Sequence, residues 1–258
     1  MDCLLKKLNN IAKEMEAAGQ EIYPKLEGDM RDDFHFMCKL FSKRQLSHLR
    51  SLVVLEGSDD AILIARSMLE GSLYLSYSFK NSEMCRRWRL YCVVVDIQRF
   101  EKSDEAVPQD VRNQLEFFKP VVDGLFKKEN GEYHRNWHGG KSIKEISRLV
   151  DEQYIYLYET YYSPMSEYHH WGTAAFGKRY RLEGNEVIET NAEEAKLERA
   201  NALCMALSSI FSTFKISVKV LSGDSECLEK INILANKLKS LEGAVTREIN
   251  ITSQSARA

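Results

Sequence analysis

Apolar side chains recur every three or four positions along most of this chain, and little interrupts them. Residues 3–18 show the pattern at its plainest: Leu4, Leu8, Ile11, Ala12 and Met15 form the stripe of an amphipathic helix. Breakers are scarce, with 4 prolines and 13 glycines among 258 residues. That is too little punctuation for the many short strands and turns of a sandwich or barrel. The pattern predicts an all-α, multi-helix bundle of about eight helices.

The same reading assigns helices to 3–18 (stopped by Gly19), 29–56, 59–80, 82–102 and 109–128, the last opened by Pro108 and kinked or divided at Pro120. Ser142, with Glu145 three residues on, has the spacing of a capping box before a short helix. Residues 152–162 and 164–171 read as two helical pieces about Pro164, and helices over 191–221 and 224–242 finish the fold. Between them, residues 179–189 alternate around Gly184-Asn185 as one small β-hairpin. Helix 59–80 is apolar around most of its circumference and is the expected centre of the bundle. The whole reads as a single domain over 1–242 with a disordered tail at 243–258.

Charge is balanced: 36 basic against 38 acidic residues give a formal net charge of −2, unlike a protein built to coat nucleic acid. The cysteines at 3, 38, 85, 92, 204 and 227 form no CxxC pair and no zinc-like spacing. Most have apolar neighbours, Cys92 among them, and are expected reduced and buried. Met1–Lys7 meets charge too early for a signal peptide. The apolar stretches at 61–78 and 202–220 contain Arg66, Glu70, Lys215 and several serines, so no membrane span and a cytoplasmic location are expected.

Three motifs invite chemistry that their context refuses. Gly139-Gly140-Lys141-Ser142 ends like a phosphate-binding loop, but Arg135 stands where the first glycine belongs and no buried strand precedes it. His134 and His138 have metal-ligand spacing for a helix, yet Gly131, Gly139 and Gly140 bracket them and no third ligand is near. No metal or cofactor is therefore called for. Arg86-Arg87-Trp88-Arg89 sets cations beside a ring, a pairing that touches phosphate and base; the plainer reading is a solvated helix face over a buried tryptophan.

The polar residues that packing explains least well are elsewhere. Arg66 and Glu70 lie one turn apart in the greasiest helix, where charge is costly unless paired. Tyr154, Tyr158, Tyr162, Ser166 and His170 form a four-residue ladder that ends in an imidazole suited to proton transfer. Tyrosine stripes are more often core faces with satisfied hydroxyls, but Ser166 followed by His170 is harder to assign to packing.

Ala65-Arg66-Ser67-Met68-Leu69-Glu70 followed by a Tyr-x-x-x-Tyr-x-x-x-Ser-x-x-x-His ladder resembles an uncharacterised bacterial family of helical proteins, a domain of unknown function. The matching positions are Arg66, Ser67, Glu70, Trp137, Tyr158, Tyr162, Ser166 and His170, and the likeness covers about residues 55–175. That family is in turn distantly similar to HEPN helical bundles, many of them RNA-cutting toxins or defence proteins. The R-x(4–6)-H signature of those nucleases is absent: Arg44-x-x-x-His48 and Arg135-x-x-His138 both fall short. The resemblance implies a metal-independent ribonuclease acting on RNA, as a homodimer by analogy. In it Arg66, Glu70, Ser166 and His170 are the catalytic candidates, and Tyr162, Arg86 and Arg87 the substrate contacts. The competing expectation is a non-enzymatic interaction module in which the same polar cluster is a buried structural network.

Overall fold

The helical periodicity becomes helices in the computed structural model, which describes residues 1–55, 60–102, 108–169, 180–189 and 192–255. In chain order they are α1 (Asp2–Ile22), α2 (Asp33–Val54), α3 (Asp60–Lys80), α4 (Glu83–Glu101), α5 (Gln109–Phe126), α6 (Ile143–Val150), α7 (Glu152–Leu157) and α8 (Ser163–His169). The antiparallel hairpin β1 (Tyr180–Glu183) and β2 (Glu186–Glu189) follows, then α9 (Ala192–Leu221) and α10 (Ser225–Ser255). This is the all-α bundle with one small hairpin that the pattern predicts. Local chemistry sets the boundaries. The Asp32 carboxylate accepts from the backbone N–H groups of Phe34 and His35 at 2.9 and 2.8 Å, capping α2. Ser142 and Glu145 form the expected capping box at the start of α6. The hairpin turns at Gly184-Asn185, where Gly184 has φ +63° and Glu183 pairs with Glu186.

Four expectations about elements are corrected. Gly19 does not stop α1; it is buried within it, because a Cβ there would lie 2.3 Å from Leu46 Cδ2 and hold α1 away from α2. Pro120 does not divide α5, which runs unbroken through it. The break expected at Pro164 comes earlier, as a π-helical turn over Tyr158–Tyr162 in which the Ser163 N–H donates to the Tyr158 carbonyl. A proline ring crowds the carbonyl four residues before it, and the wider turn makes room. The last helix, read to about residue 242, continues to Ser255: Gly243 alone is too weak a breaker to end it.

The centre of the bundle is α9 and not, as expected, α3, which is its major partner; α9 also touches α1, α2 and α10. Its buried run includes Ala200, Leu203, Ala206, Leu207, Ile210, Phe214 and Val218. Two of its buried hydroxyls are satisfied locally: Ser209 Oγ donates to the Met205 carbonyl at 2.6 Å and Thr213 Oγ1 to that of Ser209 at 3.0 Å. Ser42 on α2 donates to Ser217 Oγ at 2.8 Å, tying the two helices together. Residues 195–221 are long and apolar enough to cross a membrane, and 72% of the most apolar window is buried within the bundle. Packing accounts for that composition. Cys38, Cys85, Cys204 and Cys227 are buried as expected, with burial pushing the Cys38 and Cys85 thiols up to about 12, whereas Cys92 is exposed.

Candidate functional site

Arg66, Glu70 and Tyr74 occupy successive turns of α3 and so share one face. Arg66 is only 7% exposed. Glu70 is not its direct partner; Tyr162, from the π-helical turn, comes between them. The Arg66 guanidinium carbon sits 4.4 Å from the centroid of the Tyr162 ring, and the Tyr162 hydroxyl donates to Glu70 Oε1 at 2.6 Å. Burial, and then the Glu70 carboxylate, push the Tyr162 hydroxyl up to about 12, so it remains a donor at neutral pH. Arg66 Nε and Nη1 are buried with no hydrogen-bond partner among the described residues. Two rungs back, Tyr154 is purely structural: its hydroxyl lies 2.6 Å from Ser72 Oγ and 2.7 Å from Ser76 Oγ, deep against α3.

The loop before α6 covers the far end of this stripe. Trp137 meets Tyr74 edge-on at 5.2 Å, and His138 stacks on the same ring at 5.4 Å. His138 is buried, and desolvation with the nearby Lys141 charge lowers its imidazole to about 4. It is a neutral packing ring at pH 7. Helix α4 holds the loop in place: Arg87 donates to the carbonyls of Trp137 (3.0 Å) and Leu125 (2.7 Å), and Tyr91 donates to that of His134 (2.8 Å).

Beside the stripe, α2 and α3 enclose an open groove of about 420 Å³. Gly71 lets the two helices come close, since a Cβ there would lie 3.3 Å from Gln45 Nε2. One wall is aromatic, with Phe41 edge-on to Trp88 at 5.1 Å and Tyr74 beyond. The other is polar. Arg44 Nε donates to His48 Nε2 at 3.0 Å, which places the His48 proton on Nδ1, and Ser67 Oγ lies 3.3 Å from the same Nε2. Burial, and then the Arg44 charge, hold the half-buried His48 imidazole below its ordinary range. Gln45 donates to the Met68 carbonyl at 2.7 Å, while its Oε1 is buried with no partner among the described residues. Glu70 lines the groove from α3. A neutral imidazole, a guanidinium and a hydroxyl within reach of one another can take up a proton and steady a negative charge.

The candidates named from the sequence fall in three places. Arg66, Glu70 and Tyr162 are joined as described. Ser166 is half-buried on α8, which packs on α3, and no hydrogen bond joins it to them among the described residues. His170 lies outside the described residues. Arg86 is exposed on α4, whereas Arg87 is engaged by two carbonyls and by the Phe126 ring at 4.6 Å, an anchoring role in place of a substrate contact. Arg89 is likewise tied to Asp33 at 3.0 Å. The groove's own group, Arg44 with His48, escaped the sequence reading because it fell short of a nuclease spacing. The available signal was plainer: four residues apart on one helix, the two side chains meet.

No curated protein and no solved structure matches the chain. A family match spans residues 35–187, reaching beyond the 55–175 read from the motifs and taking in α2 with Arg44 and His48 as well as the hairpin's first strand. The chain therefore belongs to DUF5677, a family of unknown function.

Proposed function

We propose that the protein cleaves RNA without a metal ion, at the α2–α3 groove, with His48 as the general base. The observation that carries this reading is the His48 imidazole, lone pair on Nε2, placed on an open groove by Arg44 Nε at 3.0 Å and Ser67 Oγ at 3.3 Å. As Arg44 turns from His48 to the phosphate, the Nε2 lone pair is freed and takes the proton of a ribose 2′-hydroxyl, whose oxygen attacks the adjacent phosphorus. A 2′,3′-cyclic phosphate forms, and the 5′-oxygen leaves with a proton from solvent. Exposed Arg44 offsets the charge gathering on the phosphate, and the wall of Phe41, Trp88 and Tyr74 offers rings on which a base stacks. The resemblance to bacterial HEPN-like proteins points to the same substrate and to a defence role; it adds a homodimer, to be read by sedimentation equilibrium.

The test is cleavage of single-stranded RNA in EDTA by the wild type, His48→Ala and His48→Gln. Both variants are expected to lose about 100-fold or more in rate with unchanged helical circular dichroism. Because the imidazole is held below its ordinary range, the rising limb of the pH–rate profile should lie below pH ~6.5. Cleavage by His48→Ala at the wild-type rate, or none by the wild type, overturns the reading.

One observation favours a second reading. Arg66 is buried against Tyr162, and Tyr162 is bonded to Glu70, as expected of a structural tie in a non-enzymatic interaction module. Under that reading His48 variants fold and bind partners normally, and no RNA cleavage is found at any pH.

A further inference from the structure

A second cavity, of about 600 Å³, opens between α1, the end of α2, the start of α3 and the first turns of α9. It shares no lining residue with the α2–α3 groove. Its floor is aliphatic, made by Leu5, Leu52 and Leu203, and no ring is among the described residues that line it. Its rim is cationic, with Lys6, Lys13, Lys196 and Arg199, in a chain whose formal net charge is −2. Lys196 is neutralised by Asp2 at 3.0 Å and Glu193 at 2.8 Å. Lys6, Lys13 and Arg199 have no carboxylate in ion-pair reach among the described residues. Arg199 Nε is buried with no acceptor among the described residues.

We infer that this cavity is a binding site for an amphipathic anion: a phosphate or carboxylate head on a short aliphatic body. The head accepts from the Arg199 guanidinium that lines the cavity and lies in the field of Lys6 and Lys13; the body displaces water from Leu5, Leu52 and Leu203. The planar fork of a guanidinium gives direction, while the two exposed lysines add attraction that salt screens. The absence of rings among the described lining residues favours an alkyl body over a nucleobase.

Calorimetric titration of the full chain with octyl phosphate, octanoate, inorganic phosphate and octanol tests this. Saturable binding of at least one of the two amphiphiles is expected, with octanol and inorganic phosphate each at least about tenfold weaker. Tighter octyl phosphate marks a phosphate ester as the natural head, and tighter octanoate a carboxylate; either supports the site. Arg199→Gln should weaken binding by about tenfold. Lys13→Gln, at an exposed position that removes no core contact, should weaken it severalfold at low salt and not at high salt. Octanol or inorganic phosphate binding as tightly as the amphiphiles overturns the inference, as does wild-type affinity in both variants. Neither result bears on His48.

Discussion

Tyr162 shows how one hydroxyl can decide whether buried charge is tolerable. Glu70 gains a 2.6 Å donor from it and Arg66 a ring face, so the carboxylate does not depend on the arginine. Tyr162→Phe keeps the ring but strips Glu70 of its donor, and should lower stability by about 1–3 kcal/mol in urea unfolding. Arg66→Met keeps the buried stem, removes two nitrogens without a partner among the described residues and gives up the ring contact, and should cost less than Tyr162→Phe, about 1 kcal/mol. The opposite ranking would mean that Arg66, not Tyr162, neutralises Glu70. The charged pair was legible in the sequence as an oddity of a greasy helix; the tyrosine between its members was not, because that contact spans 92 positions. His138 offers a test by pH. Its imidazole is lowered to about 4 in the folded chain, so the unfolded chain binds the proton first as pH falls. The stability it contributes is whole above pH ~6.5 and is lost progressively toward pH ~4, about 3 kcal/mol in all. His138→Phe retains the ring against Tyr74 and should lose correspondingly less stability than the wild type between pH 7.5 and pH 4.5.

At the scale of elements, periodicity located the helices well because burial of one face, repeated every three to four residues, is what a helix in a bundle needs. It failed where a residue's meaning depended on a neighbouring helix. Gly19 reads as a stop by composition, yet it is the place where Leu46 of α2 comes against α1. Gly19→Ala gains helix propensity and loses that approach, so its effect depends on position 46. In a double-mutant cycle, Gly19→Ala should be destabilising with Leu46 present and neutral or stabilising in the Leu46→Ala background, a coupling of about 1 kcal/mol or more. Additive effects would show that α1 shifts freely and that the close approach is incidental. The π-helical turn at Tyr158–Tyr162 was hidden for a related reason. Pro164 announces a disturbance, but whether it is met by a kink or a widened turn is settled by where Tyr161 and Tyr162 can be buried, both at once, against the bundle.

For the molecule as a whole, the family match and the physical core do not coincide. Residues 35–187 carry the groove and the Arg66 group, but α1, α9 and α10 lie outside them. Helix α9 supplies the central wall, with Ala200, Leu203, Ala206, Leu207, Ile210 and Phe214 buried against its neighbours, and the Ser42–Ser217 bond reaches across the same boundary. Removing α9 would open the apolar faces of α2 and α3 to water at about 25 cal/mol for each Å² exposed, and a single domain's net stability is only about 5–15 kcal/mol. A fragment comprising residues 35–187 is therefore expected to be unfolded or molten, with weak near-ultraviolet dichroism and dye binding to exposed apolar surface. Residues 1–255 should unfold in one cooperative step whose midpoint is the same by fluorescence and by helical dichroism. A fragment that folds alone, with sharp unfolding and an intact His48 groove, would make α9 a separable partner of the family core; co-expression of residues 188–255 would then fail to raise the fragment's stability. Restoration of folding by that second piece is the outcome that the buried face of α9 requires.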